Sequence, residues 1–298
     1  MESFYLISVL YQKKLRELRS LPQFIRLCGE YPETEILIFD NSEDAALLTE
    51  NREEAKRCGI SYLSAGRNLG LSAAYNRCLL ELDQREKDRA SSGGAPSEKG
   101  ENAEENYWIF LSDDDSLFSM EYLRNVRESC LEGREAEKAS GGERFPELRA
   151  GMVRSLRGPL SPKKSYRLFE RAGDFVRAPG HYRGLYCINS GLCIYRSLLR
   201  ELGGFEERIF LDMLDYWLMD RLREKGIDRF WILPGEIRQD FSGASFPGRE
   251  KAERRYRIYR RDFQLYCRIT GRSRLFSFLM LFKRRLRLSY DEILHRVP

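Results

Sequence analysis

Three consecutive carboxylates, Asp113, Asp114 and Asp115, are the strongest candidates for chemistry in this sequence of 298 residues. They follow Ser112 and the apolar run 108–111 (WIFL), which predicts a strand buried on both faces. Carboxylates this close together raise each other's pKa unless a cation or a set of hydrogen-bond donors neutralises them. At the carboxyl end of a buried strand, a divalent metal that carries a phosphate is the simplest neutraliser. The alternative is a solvated turn that caps the next helix, since Asp and Ser are common cap residues.

A second group of carboxylates, Asp212, Asp215 and Asp220, lies in a stretch whose pattern predicts a helix that runs to Lys225. Asp212 and Asp215 are three residues apart and are therefore expected on one helix face, while Asp220 turns away toward neighbouring Arg or Lys. At the start of the helix, Asp212 would cap free N–H groups and be held ionised by the helix dipole. Asp215 lies one turn further along.

The elements that must position these groups follow an alternating pattern. Apolar runs at 4–11, 35–39, 60–63 and 108–111 predict buried strands, and helical patterns separate them. Strands that alternate with helices predict an α/β fold with a mostly parallel, doubly wound sheet. The carboxyl ends of parallel strands share one edge of the sheet, where ligands bind. The polar residues expected at that edge are Gln12, Asp40 to Ser42, Arg67 to Gly70 and the three aspartates.

Further along the chain, residues 186–195 (YCINSGLCIY) predict two short strands or one bent strand about Ser190-Gly191. A glycine in such a position often permits a ligand to approach the backbone closely. Residues 230–233 predict the last strand, and the loop 236–248 is expected to end the globular part. The sequence thus predicts one domain over residues 1–248.

Residues 84–106 interrupt the alternation, because they contain no apolar residue beyond three alanines and are rich in Ser, Gly, Glu and Lys. Such a segment cannot bury enough surface to offset its ordering entropy, which predicts a disordered surface insertion.

The C-terminal stretch 249–298 predicts two amphipathic helices and forms a basic extension. It carries fifteen Lys and Arg against five Asp and Glu, so the net charge of +5 leaves −5 for residues 1–248. The asymmetry suggests an anionic partner, and an apolar face beside clustered cations predicts peripheral contact with a membrane surface. The alternative is that both helices pack on the domain or on a second subunit in a homo-oligomer.

Several classes of protein are excluded by residue usage. The seven cysteines lack C-x-x-C spacing, which is typical of reduced, mostly buried thiols in a cytoplasmic protein. His181 and His295 are the two histidines, so a His-based zinc site or a Ser-His-Asp triad is not expected. No apolar run is long enough to span a bilayer, and the N-terminus lacks the layout of a signal peptide.

The order of the motifs carries a resemblance that covers roughly residues 4–245. The motifs are Asp40-Asn41-Ser42, Asn68-x-Gly70-x-x-x-Ala74-x-Asn76, Asp113-x-Asp115, Ser190-Gly191, and Gly203-Gly204-Phe205 followed by Phe210-x-Asp212-x-x-Asp215-Tyr216. The sequence resembles the family-two glycosyltransferases with a GT-A fold, and within them the rhamnosyltransferase-like branch that builds bacterial surface polysaccharides. Each motif is weak alone, but five in the family's order are much more specific.

The resemblance implies a nucleotide-diphosphate sugar donor of the UDP or dTDP type, Mn²⁺ or Mg²⁺, and a single inverting displacement. The sugar would pass to a glycan or lipid-linked acceptor in cell-surface polysaccharide synthesis, at the cytoplasmic side of the membrane. The metal would bridge the two phosphates and stabilise the charge of the departing nucleotide.

The resemblance also implies roles for individual residues. Asp40 would accept an N–H of the base, and Arg67 would approach the diphosphate or ribose. Asp215 would be the general base that takes the proton of the acceptor hydroxyl. The donor-binding residues implied are Tyr11, Gln12, Asp40, Asn41, Ser42, Arg67, Asn68, Gly70, Asn76, Asp113 and Asp114. The implied metal ligands are Asp113, Asp115 and Gln239, and the implied acceptor-binding residues are Ser190, Gly191, Asp212, Tyr216 and Trp217.

One departure from the family pattern concerns the metal. Many relatives carry a His ahead of a D-x-S segment late in the domain, and here QDFSG puts Gln239 at that position. An amide oxygen is a poorer ligand, so the metal is expected to bind more weakly, or Asp240 substitutes. A catalytically weak relative that only binds nucleotide sugars is therefore an alternative. A nucleotidyltransferase is another, although no Lys- or Gly-rich triphosphate loop is present, and a nucleic-acid-binding module would leave the acidic body unexplained.

Overall fold

The computed structural model describes residues 3–92, 107–139, 147–156, 158–165, 172–239 and 249–294. In these ranges, ten strands form one sheet in the order β3-β2-β1-β4-β9-β6-β10-β5, with β7 paired to β6 and β8 paired to β10. The strands are β1 Phe4–Leu10, β2 Thr34–Asp40, β3 Ser61–Ser64, β4 Trp108–Asp113, β5 Ser116–Phe118, β6 Leu148–Ser155, β7 Gly158–Ser161, β8 Gly180–Arg183, β9 Leu192–Tyr195 and β10 Arg229–Gln239.

Helices cover the sheet. They are α1 Leu21–Glu30, α2 Ala45–Arg57, α3 Leu71–Ser92, α4 Met120–Ala139, α5 Arg196–Glu201, α6 Leu214–Glu224, α7 Arg249–Ile269 and α8 Arg274–Leu294. Buried side chains form two large hydrophobic clusters. The predicted α/β fold with flanking helices and C-terminal helices is confirmed.

The first half of the sheet, β3-β2-β1-β4, is wholly parallel. Its register sets Leu10 of β1 beside Asp40 and Val9 beside Asp113. The ends of β2 and β4 therefore reach the same edge on either side of β1. This is where the sequence predicts that polar side chains gather.

The second half of the sheet is mixed, because β9 runs antiparallel between β4 and β6 while β10 runs parallel to β6. Here two predictions are wrong. The last strand does not end at residue 233: after a register shift between Leu233 and Ile237, β10 continues to Gln239 and pairs with Ser116 of β5. Of residues 186–195, only Leu192–Tyr195 form a strand. Ser190 and Gly191 therefore lie before the strand, and not at a bend within it.

The predicted insertion at 84–106 is also corrected in part. Helix α3 continues to Ser92, so its last two turns come from that segment. Glu86 is buried and accepts hydrogen bonds from Tyr5 and Arg89, while Arg89 also pairs with Glu35 of β2. These ion pairs hold a polar helix end on the sheet, which composition alone does not reveal. Residues 93–106 lie outside the described residues.

The C-terminal helices differ in how they pack. Phe263, Tyr266 and Cys267 of α7 belong to the same hydrophobic cluster as the sheet, and Met280 of α8 joins them. Packing on the domain, given above as the alternative to membrane contact, is thus what α7 does. The domain boundary at residue 248 stays a prediction.

Two further expectations concern composition. All seven cysteines are free thiols and five of them are buried. No helix in the described part of the chain combines the length and apolar character needed to cross a bilayer.

Candidate functional site

The aspartate turn joins β4 to β5. Asp113 ends β4, and the turn places Asp115 just before β5. Gln239, at the end of β10, donates from Nε2 to Asp113 Oδ2 over 2.9 Å and to Asp115 Oδ1 over 3.0 Å. Pairing of Gln239 with Ser116 across β10 and β5 brings the amide to this position. The predicted metal ligands Asp113, Asp115 and Gln239 therefore meet.

The electrostatics of the turn follow from crowding and burial. Burial, followed by the charge of Asp115, raises the pKa of Asp113 to about 7, although the bond from Gln239 acts in the opposite direction. Burial likewise raises the pKa of Asp115. Asp114 points elsewhere and forms an ion pair of 2.8 Å with Lys13. The turn thus carries more negative charge than its own donors neutralise.

Lys13 was not predicted as a site residue. It lies three residues after the end of β1, at the same edge of the sheet as the aspartates. The signal was present in the sequence, since a cation after a parallel strand reaches the edge where the neighbouring strands end.

Ser190 and Gly191 lie against the aspartate turn. Ser190 Oγ donates to Ser116 Oγ over 2.5 Å and accepts a long bond of 3.4 Å from the backbone N–H of Asp113. Gly191 has φ of +83° and donates to the carbonyl of Leu111, and a Cβ there would lie 2.7 Å from Ile237. Both residues therefore contact β4 or the turn that follows it. Acceptor binding by them stays a prediction.

A divalent metal fits these side chains. No group of three or more His, Cys, Asp or Glu suited to a metal occurs among the described residues. Asp113 and Asp115 nevertheless share one amide donor, and Oε1 of that amide is buried without a hydrogen-bond partner. The orientation of a glutamine amide follows from its hydrogen bonds, and a half-turn would exchange Nε2 for Oε1. Two carboxylates and an amide oxygen are the oxygen ligands that Mg²⁺ and Mn²⁺ prefer.

The residues at the end of β2 hold loops together. Asp40 is fully buried: Oδ1 accepts from Ser42 N, and Oδ2 accepts from Asn51 at 2.7 Å and Tyr62 at 2.9 Å. The predicted contact between Asp40 and a base is therefore not available in this conformation. The reason is that the carboxylate is buried and both of its oxygen atoms already accept hydrogen bonds from within the fold. Ser42 Oγ in turn accepts from the backbone N–H of Gln12.

Asn41 holds the turn that the sequence assigned to phosphate or ribose. Its Oδ1 accepts from Leu69 N at 2.8 Å, and its Nδ2 donates to the carbonyl of Gly70 at 3.2 Å. Asn68 Oδ1 accepts from the N–H of Gly70, which closes the turn. These side chains shape the site, while Tyr11, Gln12 and Arg67 are exposed at this edge.

Gly70 and Asn76 connect this turn to the segment before α6. Gly70 has φ of +84°, and a Cβ would lie 2.6 Å from the carbonyl oxygen of Phe210. That carbonyl accepts from Leu71 N at 2.6 Å. Asn76 accepts from Phe205 N and donates to Phe205 O, so it orders the Gly203-Gly204-Phe205 motif rather than facing a ligand.

Asp215 lies in the first turn of α6. Burial raises the pKa of its carboxyl to about 6, while a bond from the N–H of Tyr216 at 2.8 Å and the charge of Lys163 act in the opposite direction. The charge of Asp215 also raises the pKa of Asp113. Burial raises the pKa of the Tyr75 hydroxyl, and the charges of Asp113 and Asp215 act in the same direction. Asp215 and the aspartate turn are therefore within electrostatic reach of each other.

Asp212 does not cap α6 as predicted. The residue before the helix is Met213, with φ of 69°, and no side chain caps it. Asp212 is instead held by both guanidinium nitrogens of Arg255 in α7, one of them at 2.6 Å. Met213 in a left-handed conformation turns Asp212 out of the helix, so the expected shared face with Asp215 is wrong.

The loop before α6 is anchored by a residue that sequence reasoning missed. Asp262 of α7 is fully buried, and its Oδ2 accepts the backbone N–H groups of Leu211 at 2.7 Å and Asp212 at 3.0 Å. The sequence did contain an indication of this role, because Asp262 is the one carboxylate between residues 254 and 290. The prediction that Asp220 pairs with basic residues is confirmed, because Arg223 and Arg272 contact it.

The two aromatic residues after Asp215 have different surroundings. Trp217 is buried in the hydrophobic cluster of the sheet, so it does not present a ring to an acceptor. Tyr216 is partly exposed, and its hydroxyl accepts from Lys163 Nζ at 3.5 Å. Lys163 was not predicted either, because the sequence around it is irregular.

Solved structures with a similar fold place this chain among GT-A-type folds. S. aureus TarS has a TM-score of 0.52 and 14% identity, over 88% of this chain and 39% of TarS. TarS residues 1–349 in complex with UDP-GlcNAc give a TM-score of 0.52 and 14% identity, over 88% of this chain and 65% of that one. A mannosyltransferase from Pyrobaculum calidifontis, determined with GDP-Man and Mn²⁺, gives 0.48 and 13%, over 90% and 64%.

This chain thus spans less than two thirds of each of these proteins. No family model matches the sequence, and no curated protein matches it. The GT-A-type fold expected from the sequence is confirmed by the TarS structures. The rhamnosyltransferase-like branch is not supported by these neighbours.

Proposed function

We propose that the protein is a glycosyltransferase that takes a sugar from a nucleotide-diphosphate donor. The observation that carries the proposal is a pair of partly buried carboxylates together with a separate, partly buried carboxylate. Asp113 and Asp115 share an amide donor at the end of β4, and the separate carboxylate of Asp215 lies within their electrostatic reach. The first pair suits a cation with a phosphate, and the single carboxylate suits proton transfer.

On the donor side, Asp113, Asp115 and Oε1 of Gln239 would hold a divalent metal, Mn²⁺ or Mg²⁺. When bound, the metal supplies positive charge for the diphosphate of the leaving nucleotide. Lys13 keeps Asp114 neutralised and turned away, so that it does not compete. The ring of Tyr11 and the guanidinium of Arg67, both exposed at this edge, would contact the nucleotide.

On the acceptor side, Asp215 would remove the proton of the attacking hydroxyl. A buried carboxylate with a raised pKa is a better proton acceptor near neutral pH than an exposed one, because burial destabilises its charged form. A single base opposite the diphosphate gives one displacement and inversion at the anomeric carbon. Tyr216, partly exposed beside it, would contact the acceptor.

The chemical classes of the donor and of the acceptor are also part of the proposal. The UDP-GlcNAc complex of TarS supports a nucleotide-sugar donor, of the UDP or dTDP type, for a chain with this fold. The acceptor would be a glycan or a lipid-linked glycan in cell-surface polysaccharide synthesis, on the cytoplasmic side of the membrane.

The proposal is tested by incubating the purified chain with a panel of UDP-, dTDP- and GDP-sugars, with Mn²⁺, with Mg²⁺ and with a chelator. Metal-dependent release of a nucleoside diphosphate from one donor class is the expected result. If pyrophosphate is released only when a nucleoside triphosphate and a sugar phosphate replace the nucleotide sugar, the protein is a nucleotidyltransferase. Binding of a donor without turnover at any metal concentration would indicate a catalytically weak relative.

The mechanism needs a separate measurement. With an acceptor in hand, the anomeric configuration of the product is read by NMR from the proton coupling at the new linkage. Inversion is expected, and retention would overturn the single displacement even if the transferase activity stands.

A further inference from the structure

Helix α8 has two opposite apolar faces. Phe276, Met280 and Leu281 pack against the hydrophobic cluster that contains α7. On the opposite side a second stripe is exposed to solvent. It consists of Leu275, Phe278, Leu279, Phe282 and Leu286, which are 67, 63, 37, 52 and 54% exposed. Spacings of three and four residues place the five side chains on one face of the helix.

The stripe concentrates exposed apolar surface in one place. Eleven large apolar side chains are exposed in the described part of the chain, and five of them belong to this stripe. The rings of Phe278 and Phe282 are stacked with centroids 6.1 Å apart. Single exposed apolar residues are ordinary on a protein surface, whereas a contiguous stripe marks an interaction surface.

The charges beside the stripe have one sign. Residues 274–288 contain five Lys and Arg and no acidic residue. At 100° per residue, Lys283 and Arg287 lie along one flank of the stripe and Arg274 and Arg285 along the other. Arg285 also pairs with Glu253 of α7.

We propose that α8 docks the protein on an anionic membrane surface. The apolar stripe would enter the boundary between headgroups and acyl chains, and the flanking cations would meet acidic headgroups. A second copy of the chain is a poorer occupant, because two such faces would bring cations of the same sign together. The proposal goes beyond the transferase function and does not depend on it, so the two are tested separately.

Flotation of the full chain with lipid vesicles tests the proposal. Vesicles of phosphatidylcholine containing phosphatidylglycerol are compared with vesicles of phosphatidylcholine alone, at low and at physiological ionic strength. The wild-type chain is expected to float with the anionic vesicles, less so as salt rises, and to stay unbound with the neutral ones.

Two variants locate the binding on α8. The double change Phe278→Ser and Phe282→Ser should lower the partition coefficient at least about tenfold, since two aromatic side chains lose their burial in lipid. Lys283→Gln with Arg287→Gln should lower it roughly 25-fold on anionic vesicles, from two lost headgroup contacts. The matched control is Leu80→Ser with Leu156→Ser, two exposed apolar residues outside α8, which should float like the wild type. Thermal melting confirms that each variant is folded.

Three results would overturn the proposal. One is a wild-type chain that does not float with anionic vesicles at low ionic strength. Another is a Phe278→Ser, Phe282→Ser variant that floats as well as the wild type, because the binding would then lie elsewhere. The third is a wild-type dimer in sedimentation that the same variant converts to a monomer, because the stripe would then be an interface between two copies.

Discussion

The aspartate turn and the start of α6 both present partly buried carboxylates with a raised pKa, but their surroundings differ. Burial, followed by the charge of the Asp115 carboxylate, raises the pKa of Asp113 to about 7. Burial raises the pKa of Asp215 to about 6; the charge of Asp212 acts in the same direction and the charge of Lys163 in the opposite one. A crowded pair of carboxylates suits a cation, whereas a single carboxylate outside that pair suits proton transfer. Neighbouring groups, and not residue type, therefore distinguish the two proposed roles.

The two regions also differ in what holds them. The aspartate turn is fixed by strand pairing, through Gln239 on β10 and Ser190 before β9. The start of α6 is fixed by side chains of α7, through Arg255 and Asp262. The proposed donor side of the site is therefore held by the sheet, and the proposed acceptor side by a helix from the basic C-terminal extension.

The largest expected effect is on turnover, from a substitution on the proposed acceptor side. Asp215→Asn should reduce turnover by roughly a hundred- to ten-thousand-fold, as expected for loss of a general base, while donor binding stays nearly unchanged. Turnover is measured by release of the nucleoside diphosphate and donor binding by calorimetry. Asp212→Asn is the control and should lose less, because Asp212 is engaged with Arg255. An inactive Asp212→Asn beside an active Asp215→Asn would reverse the two roles.

The dependence of the acceptor side on α7 is tested through stability. Asp262→Ala leaves two part-buried backbone N–H groups without their charged acceptor, which should lower the free energy of unfolding by about 2–6 kcal/mol. Denaturant melts measure the loss. The matched control is Asp228→Ala, whose carboxylate pairs with the exposed Arg183, and it should cost less than about 1 kcal/mol. Equal losses in the two variants would show that α7 does not anchor the loop before α6.

The donor side is broken by Asp115→Asn. Removing one carboxylate should weaken Mn²⁺ binding by at least about a hundredfold, because even loss of an outer-shell partner costs ten- to a hundredfold. Calorimetry with the donor, in the presence and absence of Mn²⁺, should show that the metal no longer strengthens donor binding. Asp114→Asn is the matched control, since that carboxylate contacts Lys13 instead. Unchanged donor affinity in Asp115→Asn would remove the metal assignment.

The smallest expected effect is the pH dependence of turnover and of stability that arises from Asp215. Asp215 acts as a base only when ionised, so turnover should fall about tenfold per pH unit below a midpoint near pH 6. Stability should change in the opposite direction. The pKa of the folded state is raised, so the contribution of Asp215 to stability is present at low pH and lost as pH rises through about 6. Melting temperatures of wild type and Asp215→Asn across this window measure the difference, and parallel curves would contradict the raised pKa.

The sequence predicted the parallel half of the fold and the central turn. The runs at 4–11, 35–39 and 108–111 are apolar except for Ser8 and Glu35, and a strand buried on both faces needs such a composition whatever surrounds it. Alternation with helices then fixed the parallel arrangement, and the position of Asp113 at the end of its strand put it at the ligand-binding edge. These features depend on local pattern and on the chirality of the chain, so one sequence suffices to infer them.

The sequence failed where a polar residue had two uses. Asp40 looked available to a base, but Asn51 and Tyr62 already occupy its carboxylate inside the fold. Residues 84–92 looked too polar to be ordered, yet ion pairs such as Arg89 with Glu35 hold them as helix. Composition reports how much surface a segment can bury by itself, but it does not report which partners the rest of the chain supplies.

The tertiary structure alone decided what the site residues contact. Gln239 reaches Asp113 and Asp115 because β10 pairs with β5, and Asp262 reaches the loop before α6 because α7 packs on the sheet domain. Periodicity in a sequence specifies which face of an element is buried, but not which distant element covers that face. The sequence therefore determined which groups were available for chemistry. The packing of β10 and α7 determined which of them meet, and with that the pKa of each carboxylate.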